Sequence, residues 1–403
     1  MSTQKENMTF FRKNVHARII PCEIWRGGTS RAIFILNDYL PANTKARDLI
    51  IKRIIGSQDK TRVDGLGGNL THTSKVAVIS KSSRKNVDVE FTIAQVSATE
   101  DLVDYSATCG NIVSAVGPFA IENNLVHPLT DGTAELRIYD TNTDTIIHVF
   151  VPIKEGSFLE EGSCFIGGVT FPTSEILVDF REMVGKKTDR ILPTQHASEQ
   201  IVLENGQAIS ISICDAGTPA VFIDLTQFLS LDPKLSLQEE NPTFIKLIKE
   251  IRGKAAKRAG LVENWRTIDR DSPVIPEVML ITKPKAASAD IQVQLITMNK
   301  LHASIGGGAS ICVAAAAKVP GSLVNSLIGK TLSDEQVLIQ HPQGQMAIFV
   351  QTQPSSDPLS PQFSALAIKR SARLIMKGQL SIPIKDLPED KSPQPVPQLL
   401  AKL

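Results

Sequence analysis

The sequence lacks most of the features that mark a secreted, membrane-embedded or metal-dependent protein. Its cysteines are five in number, widely scattered and without a Cys-x-x-Cys pair, and its apolar runs all stay well short of 18 residues. An odd number of scattered cysteines argues against a disulfide framework and against a cysteine-rich zinc site. A transmembrane helix needs roughly 20 apolar residues, so none is expected.

Several catalytic signatures are also missing. There is no Gly-x-Ser-x-Gly elbow, no His-Glu-x-x-His pair, no phosphate-binding loop and no clear Gly-x-Gly-x-x-Gly after a strand. The seven histidines show no i, i+4 pair. Metal catalysis and nucleotide-dependent chemistry therefore lose support, and we expect neither a metal nor a cofactor.

The charge balance speaks against a nucleic-acid partner. The chain has 43 Lys and Arg against 42 Asp and Glu, a net charge of +1, whereas nucleic-acid binders usually carry a basic excess. With 403 residues, 42% of them hydrophobic, it is long enough for two or three globular domains. Scattered thiols and a start without an apolar signal core favour the cytoplasm. The alternative is the peroxisome, because Ala401-Lys402-Leu403 resembles a C-terminal Ser-Lys-Leu signal.

Short segments rich in Val, Ile, Thr and Phe predict a strand-dominated chain. The predicted strands are His16–Cys22, Arg31–Leu36, Lys75–Ser80, Val87–Val96, Glu135–Tyr139, Thr145–Pro152, Glu175–Phe180, Ala208–Cys214, Ala220–Asp224, Val278–Ile281, Ile291–Met298 and Gln336–Gln340. Helical spacing of apolar residues predicts two amphipathic helices, Lys45–Ile55 and Phe244–Ala259.

Two further helices are of a different kind. Residues 111–123 and 309–318 are apolar on nearly all sides, and each begins directly after glycine. A helix of this composition is buried centrally. Since their starts lie about half the chain apart, we predict a duplication with domains at 1–188 and 189–385. A proline-rich tail over 386–403 follows, extended or partly disordered.

Four glycine-marked clusters offer candidate binding groups. The first is Arg26-Gly27-Gly28-Thr29-Ser30, in which an arginine and two hydroxyls suit a carboxylate, although a plain turn explains it equally. The second runs from Asp64-Gly65-Leu66-Gly67-Gly68-Asn69 to Ser74-Lys75. Lys75 precedes an apolar strand, so we expect it to be partly buried, and burial makes a lysine a usable base.

The other two clusters stand at the starts of the apolar helices. In Cys109-Gly110-Asn111 the helix amides would stabilise a thiolate, although free cysteines are more often buried packing. Gly306-Gly307-Gly308, with Ser310, forms a second candidate anion nest, or simply allows tight helix packing. Together these groups suggest a protein that holds a small polycarboxylate and moves a proton on one of its carbons.

These motifs, with Ala372-Arg373-Leu374-Ile375-Met376-Lys377-Gly378, resemble those of the PrpF family over roughly residues 18–385. The family contains 2-methylaconitate, methylitaconate and aconitate isomerases and 4-oxalomesaconate tautomerases. The resemblance implies an α+β diaminopimelate epimerase-like fold. In that fold two similar domains each wrap a mostly antiparallel, barrel-like sheet around a central helix, and the active site lies in the cleft between them.

The resemblance also implies roles for individual residues. Cys109 matches the first thiol of this fold, while the second falls at Ile305, as is typical of the isomerase branch, where Lys75 is the proposed partner. Three positions depart from the family pattern: Arg31 in place of Lys, Thr218 in place of Asn and Gly307 in place of Thr. The expected substrate contacts are Arg26, Thr29, Ser30, Asn69, Gly110, Asn111, Gly306, Gly307, Gly308 and Ser310.

The function expected from these observations is cofactor-independent isomerisation of an unsaturated tricarboxylate by allylic proton transfer. The three departures favour cis-aconitate to trans-aconitate, with 2-methylaconitate or another substrate of the family as the alternative. A rival of a different class is a non-catalytic carboxylate-binding protein on the same fold, against which the presence of both Lys75 and Cys109 counts. The expected partners are the small tricarboxylate and a second copy in a homodimer, with no nucleic acid or membrane.

Overall fold

A computed structural model describes residues 16–383, apart from 98–99, 107, 128, 239–240, 330–331 and 333–335. The predicted proline-rich tail over 386–403, with its C-terminal tripeptide, lies outside the described residues. None of the helices in the described part is long and apolar enough to cross a membrane.

The described chain is strand-dominated, with a few helices, as the sequence predicts. Its strands are β1 Ala17–Gly27, β2 Ser30–Leu36, β3 Lys75–Lys81, β4 Val89–Val96, β5 Val103–Asp104, β6 Gly132–Asp140, β7 Thr145–Lys154, β8 Ser157–Phe158, β9 Ile176–Asp179, β10 Glu199–Val202, β11 Ala208–Cys214, β12 Ala220–Asp224, β13 Glu277–Thr282, β14 Ile291–Thr297, β15 Lys300–Leu301, β16 Gln336–His341, β17 Gly344–Gln353, β18 Gln362–Arg370 and β19 Ala372–Pro383. Its α-helices are α1 Thr44–Ile55, α2 Gly110–Glu122, α3 Leu225–Leu229, α4 Pro242–Arg258, α5 Ile268–Asp271, α6 Gly307–Ala317 and α7 Leu323–Ile328.

The helix boundaries follow local chemistry. The side chain of Asn43 caps α1 by accepting from the Ala46 amide, and Gly56 ends that helix with φ +77°. Asn241 caps α4 in the same way, ahead of Pro242 at its first turn. An asparagine cap satisfies amides that no helical carbonyl can reach, and glycine adopts the left-handed conformation at low cost. These two helices therefore begin and end close to where the sequence predicts.

The described residues form two compact units. Unit 1 holds the chain up to residue 145, residues 149–176 and the chain from residue 370 onward, and unit 2 holds residues 146–148 and 177–369. This division differs from the predicted split at residues 188 and 189, because β19 returns to pair with β1 in an antiparallel register of Ala17 with Pro383.

Unit 1 wraps its strands around a buried helix. β1 pairs antiparallel with β19 and with β2, β2 runs parallel to β3, β3 antiparallel to β4, and β4 parallel to β6. The helix α2 packs against β1, β2, β3, β6, β8 and β19, and its residues from Ile112 to Ile121 are all buried. Contact on all sides explains why this helix is apolar all round.

Unit 2 repeats the same connections. β11 pairs antiparallel with β12, β12 runs parallel to β13, β13 antiparallel to β14, and β14 parallel to β16. The apolar helix α6 precedes β16, as α2 precedes β6, and α4 lies between β12 and β13, as α1 lies between β2 and β3. The predicted α+β duplication around two apolar helices is therefore present in the strand order of each unit.

Candidate active site

Cys109 stands at the N-terminus of α2, where the sequence places it. It is the N-cap residue, it is half-buried, and its side chain makes no capping hydrogen bond. The first turn that follows contains Gly110 and Asn111, both half-buried. The amide groups of a first helical turn have no partner within the helix and favour a negative charge. The thiol is therefore held beside a group of donors that suits an anion.

The turn between β1 and β2 lies directly against this helix start. A Cβ atom at Gly27 would lie 2.3 Å from the Asn111 carbonyl oxygen, so the glycine permits an approach that a side chain would block. The Asn111 amide nitrogen Nδ2 donates to Thr29 Oγ1 at 3.1 Å and to Ser30 Oγ at 3.4 Å. The first glycine cluster and the cysteine cluster therefore form one structure.

A cavity of about 360 Å³ opens beside this turn within unit 1. Its lining comes from the β1–β2 turn, from the segment before β3, from a loop ahead of β9 and from β19. The lining residues are Arg26, Thr29, Ser30, Arg31, His72, Thr73, Gly168, Val169, Thr170, Phe171, Arg373 and Ile375. Three guanidinium groups and several hydroxyls give the cavity the chemistry of a carboxylate site.

Lys75 is the first residue of β3, two residues beyond Thr73 in the cavity wall. As expected it is half-buried, and its Nζ donates to Gln95 Oε1 on β4. Gln95 is fixed in turn, because its Nε2 donates to the Ser74 carbonyl oxygen at 2.9 Å. Among the described residues no hydrogen bond joins Lys75 to Cys109. Lys75 is connected to the cavity through Thr73, which lines it. Cys109 is connected to it through Asn111, which donates to the lining residues Thr29 and Ser30.

The glycines of the second cluster mainly serve packing. Gly65 and Gly67 lie against the end of α1, where a Cβ atom would fall 2.3 Å from the Gly56 nitrogen and 2.6 Å from the Ile55 carbonyl oxygen, respectively. Asn69, a predicted substrate contact, is exposed and does not line the cavity. The part of this cluster that reaches the cavity is its downstream end, His72 and Thr73.

The glycine cluster of unit 2 serves packing at one of its positions and leaves open space at another. A Cβ atom at Gly308 would lie 2.3 Å from Thr218 Oγ1, so this glycine serves tight packing. Gly306, by contrast, has open space at its Cβ position and caps α6. Ser310 is fully buried and donates to the Gly307 carbonyl oxygen at 2.8 Å. Its hydroxyl is therefore engaged within the helix.

Two site residues were not anticipated from the sequence. Arg370 ends β18, and its Cδ would lie 3.1 Å from a Cβ atom at Gly28. Burial lowers the pKa of Arg370 to about 10, whereas the nearby thiols of Cys109 and Cys164 raise it. Cys164 lies in the loop before β9, with its Sγ 4.0 Å from the Arg370 carbonyl oxygen. No local pattern distinguishes this arginine from the others.

Unit 2 has a titratable group at the strand position that Lys75 occupies in unit 1. Glu277 is the first residue of β13, as Lys75 is of β3, and it is only 9% exposed. Burial raises the pKa of Glu277 to about 7, against the opposing effect of a hydrogen bond from Thr297. The folded protein therefore favours the protonated carboxyl.

We expect this carboxyl to make the folded state less stable as the pH rises. A carboxyl with a raised pKa in the folded protein contributes stability below its unfolded pKa, near 4.5, and that contribution is lost as the pH passes through 7. Glu277→Gln should therefore be more stable than the wild type at pH 8, by up to about 3 kcal/mol, and similar to it near pH 4.5. Urea unfolding from pH 4.5 to 8 measures this difference, and a constant difference across that range would contradict it.

The chain is similar to known proteins over most of its length. The family model described as PrpF protein matches residues 17–383. The chain is 32% identical to the 3-methylitaconate isomerase of Eubacterium barkeri, covering 90% of this chain and 97% of that protein. It is 30% identical to the 2-methyl-aconitate isomerase of Shewanella oneidensis, covering 89% and 95%, respectively.

The fold is shared with a solved relative. A crystal structure of methylitaconate-delta-isomerase superimposes with a TM-score of 0.83 at 31% identity and covers 94% of this chain and all of that one. The resemblance inferred from the glycine and cysteine motifs is thereby confirmed, together with the α+β fold that it implies. The chain belongs to the PrpF family and is an isomerase of the PrpF type.

Proposed function

We propose that the protein isomerises an unsaturated tricarboxylate by allylic proton transfer, without a cofactor, and that its substrate is cis-aconitate, converted to trans-aconitate. The main support for the proposal is the structural connection between the Cys109 thiol and the cavity. Cys109 stands at a helix start whose Asn111 side chain donates to Thr29 and Ser30 in the cavity wall. A proton-transfer group is thus tied to a cationic cavity.

The reaction requires three kinds of group. A base removes a proton from the methylene carbon next to the double bond, and the charge spreads into a carboxylate. An acid then returns a proton at the other end of the allyl unit, which moves the double bond. We assign Cys109 and Lys75 to these two transfers. The amides of Gly110 and Asn111 stabilise the charge that develops on the carboxylate.

The relatives support an unsaturated polycarboxylate as the substrate. The matched proteins are named for methylitaconate and 2-methylaconitate, and a 4-oxalomesaconate tautomerase of Pseudomonas putida is 29% identical over 90% of this chain and 96% of its own length. The choice of aconitate rests on the departures at Arg31, Thr218 and Gly307. One of these, Arg31, lines the cavity.

One structural observation favours a second candidate, 2-methylaconitate. Val169, Phe171 and Ile375 give the cavity an apolar portion beside its arginines. A methyl group in an apolar pocket contributes only ~1–3 kcal/mol to discrimination, so few contacts decide between the two substrates. A proton NMR screen of cis-aconitate, trans-aconitate, 2-methylaconitate and methylitaconate, without added cofactor, compares them directly.

We expect turnover in D₂O to place deuterium on carbon in the product and, at equilibrium, in the recovered substrate. Both a thiol and an ammonium exchange their protons quickly with water, so a proton held by Cys109 or Lys75 is replaced before it returns. NMR of the quenched reaction measures the label. A hydroxy acid intermediate, or isomerisation without deuterium uptake over many turnovers, would contradict allylic proton transfer.

A further inference from the structure

Three arginines stand side by side on neighbouring strands of unit 1. In the two antiparallel pairs of β1, Arg26 lies opposite Arg31 on β2 and opposite Arg373 on β19. Directly opposed residues project from the same face of a sheet, with Cβ atoms roughly 4.5–5.5 Å apart. All three side chains line the same cavity. Like charges placed opposite one another are unfavourable, so this row favours an anion in the cavity.

The protein itself supplies little negative charge to balance the row. Glu160 Oε1 lies 3.8 Å from Arg373 Nε, and its charge also acts on Arg26. Across the described ranges no carboxylate forms an ion pair with Arg31. One carboxylate thus faces three guanidinium groups, which leaves room for further negative charge.

The middle arginine is already engaged with the protein. Arg26 Nη1 donates to the carbonyl oxygens of Gly28 and Ser371, both at 3.0 Å, and its Nη2 donates to Thr173 Oγ1 at 3.2 Å. These bonds hold the β1–β2 turn to the start of β19 and to the loop before β9. The main contribution of Arg26 is therefore to hold the cavity wall in place.

The two outer arginines have donors to spare. In the described structure Arg31 makes one hydrogen bond, from Nη2 to the Leu66 carbonyl oxygen at 3.5 Å, so its Nη1 has no protein acceptor. The Arg373 guanidinium carbon lies 5.7 Å from the centre of the Phe171 ring, and its side chain is 47% exposed. The strands of these two residues are separated by roughly 10 Å, with β1 between them.

We propose that Arg31 and Arg373 are the carboxylate anchors of the cavity, each binding a different carboxylate of one polycarboxylate, with Arg26 as a positioning residue between them. Guanidinium groups bind carboxylates through two parallel hydrogen bonds, and two such groups on either side of a short carbon chain select for separate carboxylates. The substrate class rests on the proposed function, whereas the anchoring itself is measured without turnover.

The test uses propane-1,2,3-tricarboxylate, which has no double bond to move, and the monocarboxylate butyrate, which can occupy only one anchor. Calorimetry on the full chain should show that the wild type binds the tricarboxylate more tightly. Arg31→Met and Arg373→Met should each weaken tricarboxylate binding roughly 10- to 100-fold, the usual effect of losing a hydrogen-bonded charge. The double variant should bind the two ligands alike. Arg137→Met, an exposed arginine on β6, is the matched control and should bind like the wild type.

Conservative variants distinguish a loss of ligand binding from a loss of folding. Arg31→Lys and Arg373→Lys retain the charge, so they should keep part of the affinity while losing the bidentate contribution. Unchanged tricarboxylate binding in both methionine variants would overturn the proposal. So would the absence of binding by the wild type at millimolar tricarboxylate. Anion binding without turnover of any substrate in the NMR screen would instead refute the proposed reaction and leave the anchors standing.

Discussion

Cys109→Ser is expected to lower kcat by ~10²–10⁴-fold, while the protein keeps its fold and its affinity for the carboxylate ligand. A hydroxyl is a far poorer acid or base than a thiol near neutral pH, and losing a positioned proton-transfer group typically has an effect of this size. The serine is nearly isosteric, and Cys109 is the N-cap of α2, a position where serine is favoured. Steady-state kinetics and the affinity for propane-1,2,3-tricarboxylate measure the two properties separately.

Cys22→Ser is the control for this experiment. Cys22 also belongs to unit 1, but it lies on β1 in the buried core and does not line the cavity, so its variant should keep the kcat of the wild type. Iodoacetamide should label Cys109 quickly at neutral pH, and the tricarboxylate should slow that reaction. Near-full kcat in Cys109→Ser would show that the thiol serves packing alone, and slow labelling that ligand does not affect would point to the same conclusion.

Lys75→Met is expected to lower kcat by a similar factor. Methionine fills the space of the lysine stem without its ammonium, so Gln95 loses its cationic partner while the packing of β3 is retained. If the lysine transfers a proton, the loss falls on kcat, because the group acts in the transition state. In the D₂O experiment, Lys75→Met should also place less deuterium on the carbon of the product and of the recovered substrate.

Lys81→Met provides the comparison within the same strand. Lys81 ends β3 as Lys75 begins it, on the same face by the two-residue period, and it is exposed. It should leave kcat and KM unchanged. An increase in KM for Lys75→Met with kcat intact would instead make Lys75 a further carboxylate anchor.

Much of the local structure could be read from the sequence. Ala208–Cys214 and Ala220–Asp224 have the predicted bounds, and the two apolar helices begin within two residues of the prediction. Period-two and helical patterns indicate which side chains face the core, because that period is set by local backbone geometry. The same holds for Cys109, since a small polar or glycine-rich start before an apolar helix is a local signal.

The arrangement of the cavity was decided by tertiary structure. Arg26 and Ser371 are 345 residues apart in sequence, yet the pairing of β1 with β19 places them in hydrogen-bond contact and sets Arg373 beside Arg26. The Arg373 motif is present in the sequence, but its residue pattern does not indicate that β1 is its partner strand. Strand pairing over such a separation depends on how the whole unit packs, which no local pattern contains.

The roles of single polar residues were likewise settled by packing. Ser310 and Arg26 both look available to a ligand in the sequence, but the fold engages the first within α6 and ties the second to four protein oxygens. Arg31, by contrast, makes a single long hydrogen bond to the protein, and its side chain lines the cavity. The sequence by itself determined the family, the elements and the thiol at the helix start. Tertiary structure decided which arginines have unsatisfied hydrogen bonds, because that depends on the distance to every other acceptor in the folded unit.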